Sequence, residues 1–268
     1  MQAKDTFLDK LGNYVARRVT ATATSYEPYA ASRPDFVSRV IEPGDVLLVE
    51  GGRSKVAAAI KYLTQSTWSH AALCVGPMPE HRGADGQVAV LVEAELGEGV
   101  VATPLSKYAS FNTRICRPVG LTPSDRNELV SYAKARIGDR YDLKNVLDLL
   151  RYLLPNPPVP ARFRRRMIAL GSGEPTRAIC STLIARAFES VGYPILPRIE
   201  QRSEVDGMGG MRNREVYHIR HSSLFTPRDF DVSPFFRIVK PTVELGFDYK
   251  SIEWSSDPPV PVREALKT

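Results

Sequence analysis

Nucleophilic chemistry has few candidate carriers in this chain of 268 residues, which holds three cysteines and four histidines. Cys180 opens the segment AICSTLIARAFESVG, in which Ile184, Ala187, Phe188 and Val191 recur at the spacing of a helix with one buried stripe. A thiol in the first turn of a helix lies among backbone N–H groups that lack intrahelical acceptors, at the positive end of the helix dipole. Both effects favour thiolate over thiol. The same N–H groups suit a developing oxyanion, and the small Ser181 and Thr182 leave room beside it, which makes Ser181 a candidate lining residue. Cys74 and Cys116 lie inside apolar strand patterns, where burial would raise a thiol's pKa.

A thiolate nucleophile needs an imidazole, and His70, His81, His218 and His221 are available. His70 falls in WSHAALCVG, a strand pattern that would hold a ring rigidly. His81 falls in the polar turn PEHRGADG, and the last two follow a loop-like stretch. A third group should accept the second N–H of the imidazole. In VLVEAEL, Glu93 and Glu95 project to one face by the two-residue period of a strand, in surroundings apolar enough that carboxylates need a reason. Either completes a Cys-His-Glu set. Each residue also has a bland reading: Cys180 as a small buried hydrophobe, His70 as a structural imidazole, the two glutamates on a wet face.

The elements that must position these residues are legible in outline. IEPGDVLLVEG reads as a turn and a short apolar strand, and SKVAAAIKYLT as a helix with Ser54 as N-cap. WSHAALCVG, QVAVLVEAEL, GVVATPL and TRICRPV are rich in β-branched residues and separated by glycine or charged turns, which predicts an antiparallel block. SDRNELVSYAKARIG predicts a helix with Ser124 as N-cap and Gly138 just past its end. YDLKNVLDLLRYLL, ARFRRRMIAL and the Cys180 segment add helices. RSEVDGMGGMRN reads as loop, and TPRDFDVSPFFRIVK as turn, short helix and final strand.

Bulk composition excludes several classes. Hydrophobic residues at 43% and charged residues at 25% are those of a folded, water-soluble chain. Three scattered cysteines make neither a disulfide framework nor a zinc site, and no cofactor or metal is expected. The net charge of +6 is concentrated in ARFRRRM at 161–167, without the interleaved aromatics of a nucleic-acid module, so no nucleic acid is expected as a partner. The charged N-terminus is not a Sec signal, and no stretch is apolar enough to span a bilayer. The expectation is a cytoplasmic protein, with membrane association or export by a non-Sec route as the alternatives. An amphipathic helix over 6–19 and the basic run over 161–167 are the segments that would touch a membrane surface.

The succession GDVLLVEG, helix, STWSHAALCVG, VLVEAELGEGVVATPL, IGDRYDLKNVLDL and ICSTLIARAFESVGYP resembles the permuted NlpC/P60 papain-like proteins of the YiiX and YebB kind, to which the lecithin:retinol acyltransferase-like proteins are related. The resemblance covers roughly residues 41–200, with a weaker echo at TPRDFDVSP. Its specific feature is order, because the histidine-bearing strands precede the cysteine helix instead of following it. The resemblance implies Cys180 as nucleophile, His70 as general base and Glu93 as orienting residue, since Glu93-Ala94 takes the family's Glu-Ala position before Gly99-Val100. Glu95 is the runner-up. Tyr141, in GDRYD, is implied as a phenol near the oxyanion or as a packing residue.

These readings predict an α+β fold of circularly permuted papain-like type, an antiparallel sheet or small barrel packed against helices. The N-terminal helix and extended lead-in would take 1–40, the catalytic domain 41–240 with a helical, proline-rich insertion at 143–175, and a tail 241–268. The expected activity is that of an amidase or peptidase-like cysteine hydrolase working through a thioester on peptide-like or acyl-amide substrates. A lipid-directed acyltransferase, phospholipase or thioesterase with the same three residues is the alternative, and a non-catalytic binding module of this fold is the third.

Overall fold

The computed structural model describes residues 34–51, 55–95, 98–139, 179–205 and 211–255. Six strands form one antiparallel sheet: β1 (Val46–Val49), β2 (His70–Arg82), β3 (Val88–Glu95), β4 (Gly99–Thr103), β5 (Thr113–Pro118) and β8 (Phe236–Val239). Their order is β4-β3-β2-β1-β5-β8. β4 and β8 stand at its two ends, so of the two forms expected, sheet or small barrel, the described residues form the open sheet. The architecture is α+β. β1 reads VLLV with every residue buried, and it occupies an inner position, as a continuous apolar run requires.

Alternation along the strands sorts the core into two layers. Leu48, Ala71, Leu73 and Val92 face helices α3 (Pro123–Lys134) and α4 (Ile179–Ser190), which contribute Leu129, Ala133, Leu183, Ile184, Ala187 and Phe188. Phe188, Phe230 and Phe236 close this side. The Phe236 ring meets the other two edge-on at centroid separations of 5.2 and 5.7 Å, the arrangement aromatic quadrupoles favour. On the opposite face Leu47, Val49, Ala72, Cys74, Leu91 and Ile115 pack with Val37 of α1 (Pro34–Val40) and with Tyr108 of a 3₁₀ turn, Leu105–Tyr108. The packed body thus begins before the boundary at 41 read from the sequence. Arg117 on β5 ties strands to loop, donating through Nε to Asp45 Oδ1 at 2.9 Å and through Nη2 to Asp45 Oδ2 at 2.8 Å.

Four local expectations are corrected. The N-cap of α3 is Thr122, not Ser124: Pro123 takes the first helical position, and the Thr122 hydroxyl accepts from the Asp125 N–H at 3.1 Å. The helix ends at Lys134, and Gly138 follows in the next turn at φ +93°, a left-handed conformation glycine adopts without strain. β2 runs through His81 to Arg82, so that histidine is in a strand and the turn occupies 83–87. RSEVDGMGGMRN is no simple loop: β6 (Arg198–Val205) and β7 (Met211–His218) pair along their length as a separate two-stranded ribbon. The C-terminal reading stands, with helix α5 at Pro227–Asp231 before β8, and a further short helix α6 (Pro241–Glu244) lies in the segment expected to be tail. Helix α2 (Lys55–Thr64) is present, while its expected cap Ser54 lies outside the described residues, as do 6–19, 143–175, 161–167 and Tyr141. Among the described residues no helix is long and apolar enough to cross a membrane.

Candidate active site

Glu93 lies on β3 opposite Val101 of β4 and is fully buried. A carboxylate without solvent is tolerated only when its lone pairs are matched by donors. Four groups supply them. His70 Nε2 lies 2.5 Å from Glu93 Oε2, and the Tyr108 hydroxyl donates to the same oxygen. Thr103 Oγ1 and Lys107 Nζ donate to Oε1 at 2.6 and 2.7 Å. Thr103 ends β4, and the 3₁₀ turn that follows brings Lys107 and Tyr108 back over the sheet. Burial alone would raise the Glu93 pKa, but the charges of His70 and Lys107 outweigh it and hold the carboxyl well below its ordinary range. Because an ionised carboxylate only accepts, Nε2 of His70 carries a proton. Nδ1 is the nitrogen left to face a second partner.

That partner is Cys180. It enters from the helical side of the sheet, in the first turn of α4, and keeps 5% of its surface exposed. The end of β2 prepares its place. Cys74 directs its backbone N–H to Asp45 and its carbonyl to Gly44, so Ala72 turns the same way by the period of two and Ala71 turns toward β3. The β2–β3 ladder reaches only as far as Leu73 opposite Val92, which leaves the Ala71 N–H without a strand partner. It donates to the Cys180 sulfur instead. Ser181 Oγ lies 4.0 Å from the same sulfur.

The two ionisations are coupled in opposite directions. Burial disfavours the imidazolium of His70, yet the negative charges of Cys180 and Glu93, and hydrogen bonds to both, push its pKa up to about 10. Burial disfavours the thiolate of Cys180, yet the positive His70, the Ala71 N–H and Ser181 bring its pKa below the ordinary thiol value. Both displacements favour a thiolate–imidazolium pair backed by a carboxylate. The two other thiols move the opposite way. Burial pushes Cys74 up to about 11 and Cys116 higher still.

The structure thus brings His70, Glu93 and Cys180 together, with Ser181 buried beside the thiol. Glu95 stands at the end of β3, partly exposed, and pairs with Lys107. His218 pairs with Glu200 at 2.7 Å on the exposed ribbon, and His81 lies toward the far end of β2. Sequence reasoning missed Thr103, Lys107 and Tyr108. Their one signal was a hydroxyl, an ammonium and a phenol within a short span that starts at the last residue of the strand paired with Glu93. Tyr108 is buried beside Glu93, and both facts push its pKa well up, so it remains a neutral donor. Among the described residues no group of three His, Cys, Asp or Glu could hold a metal ion. No family model matches the chain, and no curated protein matches it.

Proposed function

We propose that this protein is a cysteine-dependent hydrolase of the circularly permuted papain-like type, which cleaves amide or ester bonds through a thioester on Cys180. The observation that carries the reading is the continuous Cys180–His70–Glu93 relay, in which thiol and imidazole pKa values are displaced in opposite directions. A structural cysteine and a structural histidine have no need of such a displacement. The permuted assignment is supported by chain order, with His70 and Glu93 on early strands of an antiparallel sheet and Cys180 on a later helix.

In this reading the Cys180 thiolate attacks the substrate carbonyl carbon, and the carbonyl π electrons move onto oxygen. Backbone N–H groups in the first turn of α4 stabilise that oxyanion. His70 then donates its Nδ1 proton to the departing amine or alkoxide as the tetrahedral intermediate collapses to a thioester. Neutral His70 next takes a proton from water, the hydroxide adds to the thioester, and the thiolate leaves as the acid is released. Glu93 acts throughout on Nε2, holding the ring in one orientation and favouring its charged form.

The test is alkylation by iodoacetamide over a range of pH. Cys180 is expected to react faster than a free thiol at and below neutral pH, and His70→Ala is expected to abolish the excess. A Cys180 that reacts no faster than a free thiol, with a rate indifferent to His70→Ala, overturns the proposal.

A further inference from the structure

At the end of the sheet that carries His70 lies an open cleft of about 620 Å³, lined by Glu50, Lys61, Trp68, Arg114, Arg228 and Asp231 among others. Two of its lining residues are close neighbours of His70 along the chain and across the sheet. Glu50 follows Val49, the β1 residue opposite His70, and Trp68 stands two positions before His70 on the same chain. Trp68 is buried in the layer that α4 covers, the side from which Cys180 enters.

Among the described residues that line it, three cations face two carboxylates. Glu50 accepts from Lys61 Nζ at 3.1 Å and from Asn112 Nδ2 at 3.2 Å. Asp231 accepts from Arg114 Nη1 at 2.6 Å and from the Trp68 indole N–H at 3.0 Å, and the Arg114 guanidinium stacks over the Trp68 ring at 4.9 Å. Both carboxylates are therefore engaged by cations that line the same space. Arg228 is different. Its guanidinium donates to the backbone carbonyl of Thr64 at 3.1 Å and, among the described residues, meets no carboxylate. A guanidinium has five donors in a planar fork suited to two oxygens of one anion, and here the fork borders open volume.

We propose that this cleft is a substrate subsite for an anionic group, a carboxylate or a phosphoryl oxygen, that lies to one side of the scissile carbonyl and is received by Arg228 with Lys61 and Arg114 as supporting charge. The subsite rests on the hydrolase reading above. It adds a substrate class, acyl compounds that carry a negative charge near the bond cleaved. The occupied carboxylates Glu50 and Asp231 fix the flanking cations in place, so the cleft is ordered before the anion arrives.

The experiment uses the full chain and iodoacetamides whose amide nitrogen bears a linker of graded length ending in a carboxylate, a phosphonate or a neutral primary amide. The thiolate displaces iodide in every case, and the inactivation rate constant over the probe's half-saturating concentration is compared within each length. At the best length the anionic probe is expected to exceed its neutral counterpart by about tenfold or more, as one charge-assisted bidentate contact provides. Arg228→Gln is expected to bring that ratio to about one, while Arg228→Lys keeps part of it, with circular dichroism showing that both variants fold. Whichever anion shows the larger ratio identifies the group received. Equal rates for anionic and neutral probes at every length, or a ratio unchanged in Arg228→Gln, overturn the subsite. Slow labelling by all probes, the neutral one included, instead overturns the hydrolase reading on which it rests.

Discussion

Glu93→Gln keeps the volume of the buried side chain and removes its charge, so it isolates what the carboxylate does to His70. The Nε2–Oε2 separation is 2.5 Å, which sets the two charge centres about 4 Å apart. At an effective dielectric of about 20 such a pair attracts by about 4 kcal/mol, or about three pKa units. The amide oxygen of Glu93→Gln still accepts from Nε2, and a hydrogen bond to a charged group is worth about 2 kcal/mol, so the net fall in the His70 pKa is about one to two. The sign follows from the direction of the His70 shift. The raised pKa keeps the imidazolium until the pH climbs through about 10, and in Glu93→Gln the proton should be lost near pH 8 to 9. Nitrogen-15 NMR of the His70 ring against pH, with thiolate absorbance followed in parallel, measures both partners. A His70 midpoint that stays within about half a unit of the native one would refute the assignment of Glu93 as a group that, with Cys180, sustains the charged ring. Stability offers a second readout with its own sign. A depressed carboxyl contributes stability above its ordinary pKa of 4.5 that is lost as the pH falls through the folded value. The native protein should therefore lose stability in acid more steeply than Glu93→Gln.

Two further predictions concern the other cysteines and the strand clamp. Native protein should take up one equivalent of iodoacetamide quickly, at Cys180, while buried Cys74 and Cys116 react only after unfolding. Peptide mapping that finds either of them modified as fast as Cys180 in the native state would count against the electrostatic distinction among the three. Arg117→Ala leaves Asp45, 1% exposed, as a buried carboxylate without its bidentate partner. Urea unfolding should register a loss of about 3–5 kcal/mol, and a loss below about 1 kcal/mol would show that the pair is dispensable.

The strands, the cysteine helix and the pairing of His70 with a β3 glutamate were legible because each depends on local signals. A two-residue period places Glu93, a 3.6-residue period places Cys180 at a helix start, and apolar runs mark the inner strands. The donors around Glu93 left no such trace. Lys107 and Tyr108 lie in a single 3₁₀ turn, too short for periodicity to distinguish them from surface residues, and only the fold of that turn over β3 makes them neighbours of the site. The β6–β7 ribbon escaped for a different reason. Both of its strands are predominantly polar and exposed, so the alternation that marks a half-buried strand is missing, and the glycines of DGMGG read as loop. The misplaced cap of α3 reflects a competition between two hydroxyl residues, which Pro123 decides, because its fixed φ suits the first helical position and leaves Thr122 outside it.

The ladder that stops at Leu73 has a consequence for the order in which the site can be assembled. His70, Glu93, Thr103, Lys107 and Tyr108 all belong to strands and a turn that are neighbours in sequence, so their cluster closes through short loops. The sulfur joins from a helix translated much later and docks on an amide that the sheet has left open. Until it does so, Cys180 has neither imidazolium nor Ala71 amide to draw its proton away, and it remains an ordinary thiol. The lowered pKa of Cys180 is thus a property of the finished tertiary structure, and the nascent chain carries Cys180 as an ordinary thiol through synthesis.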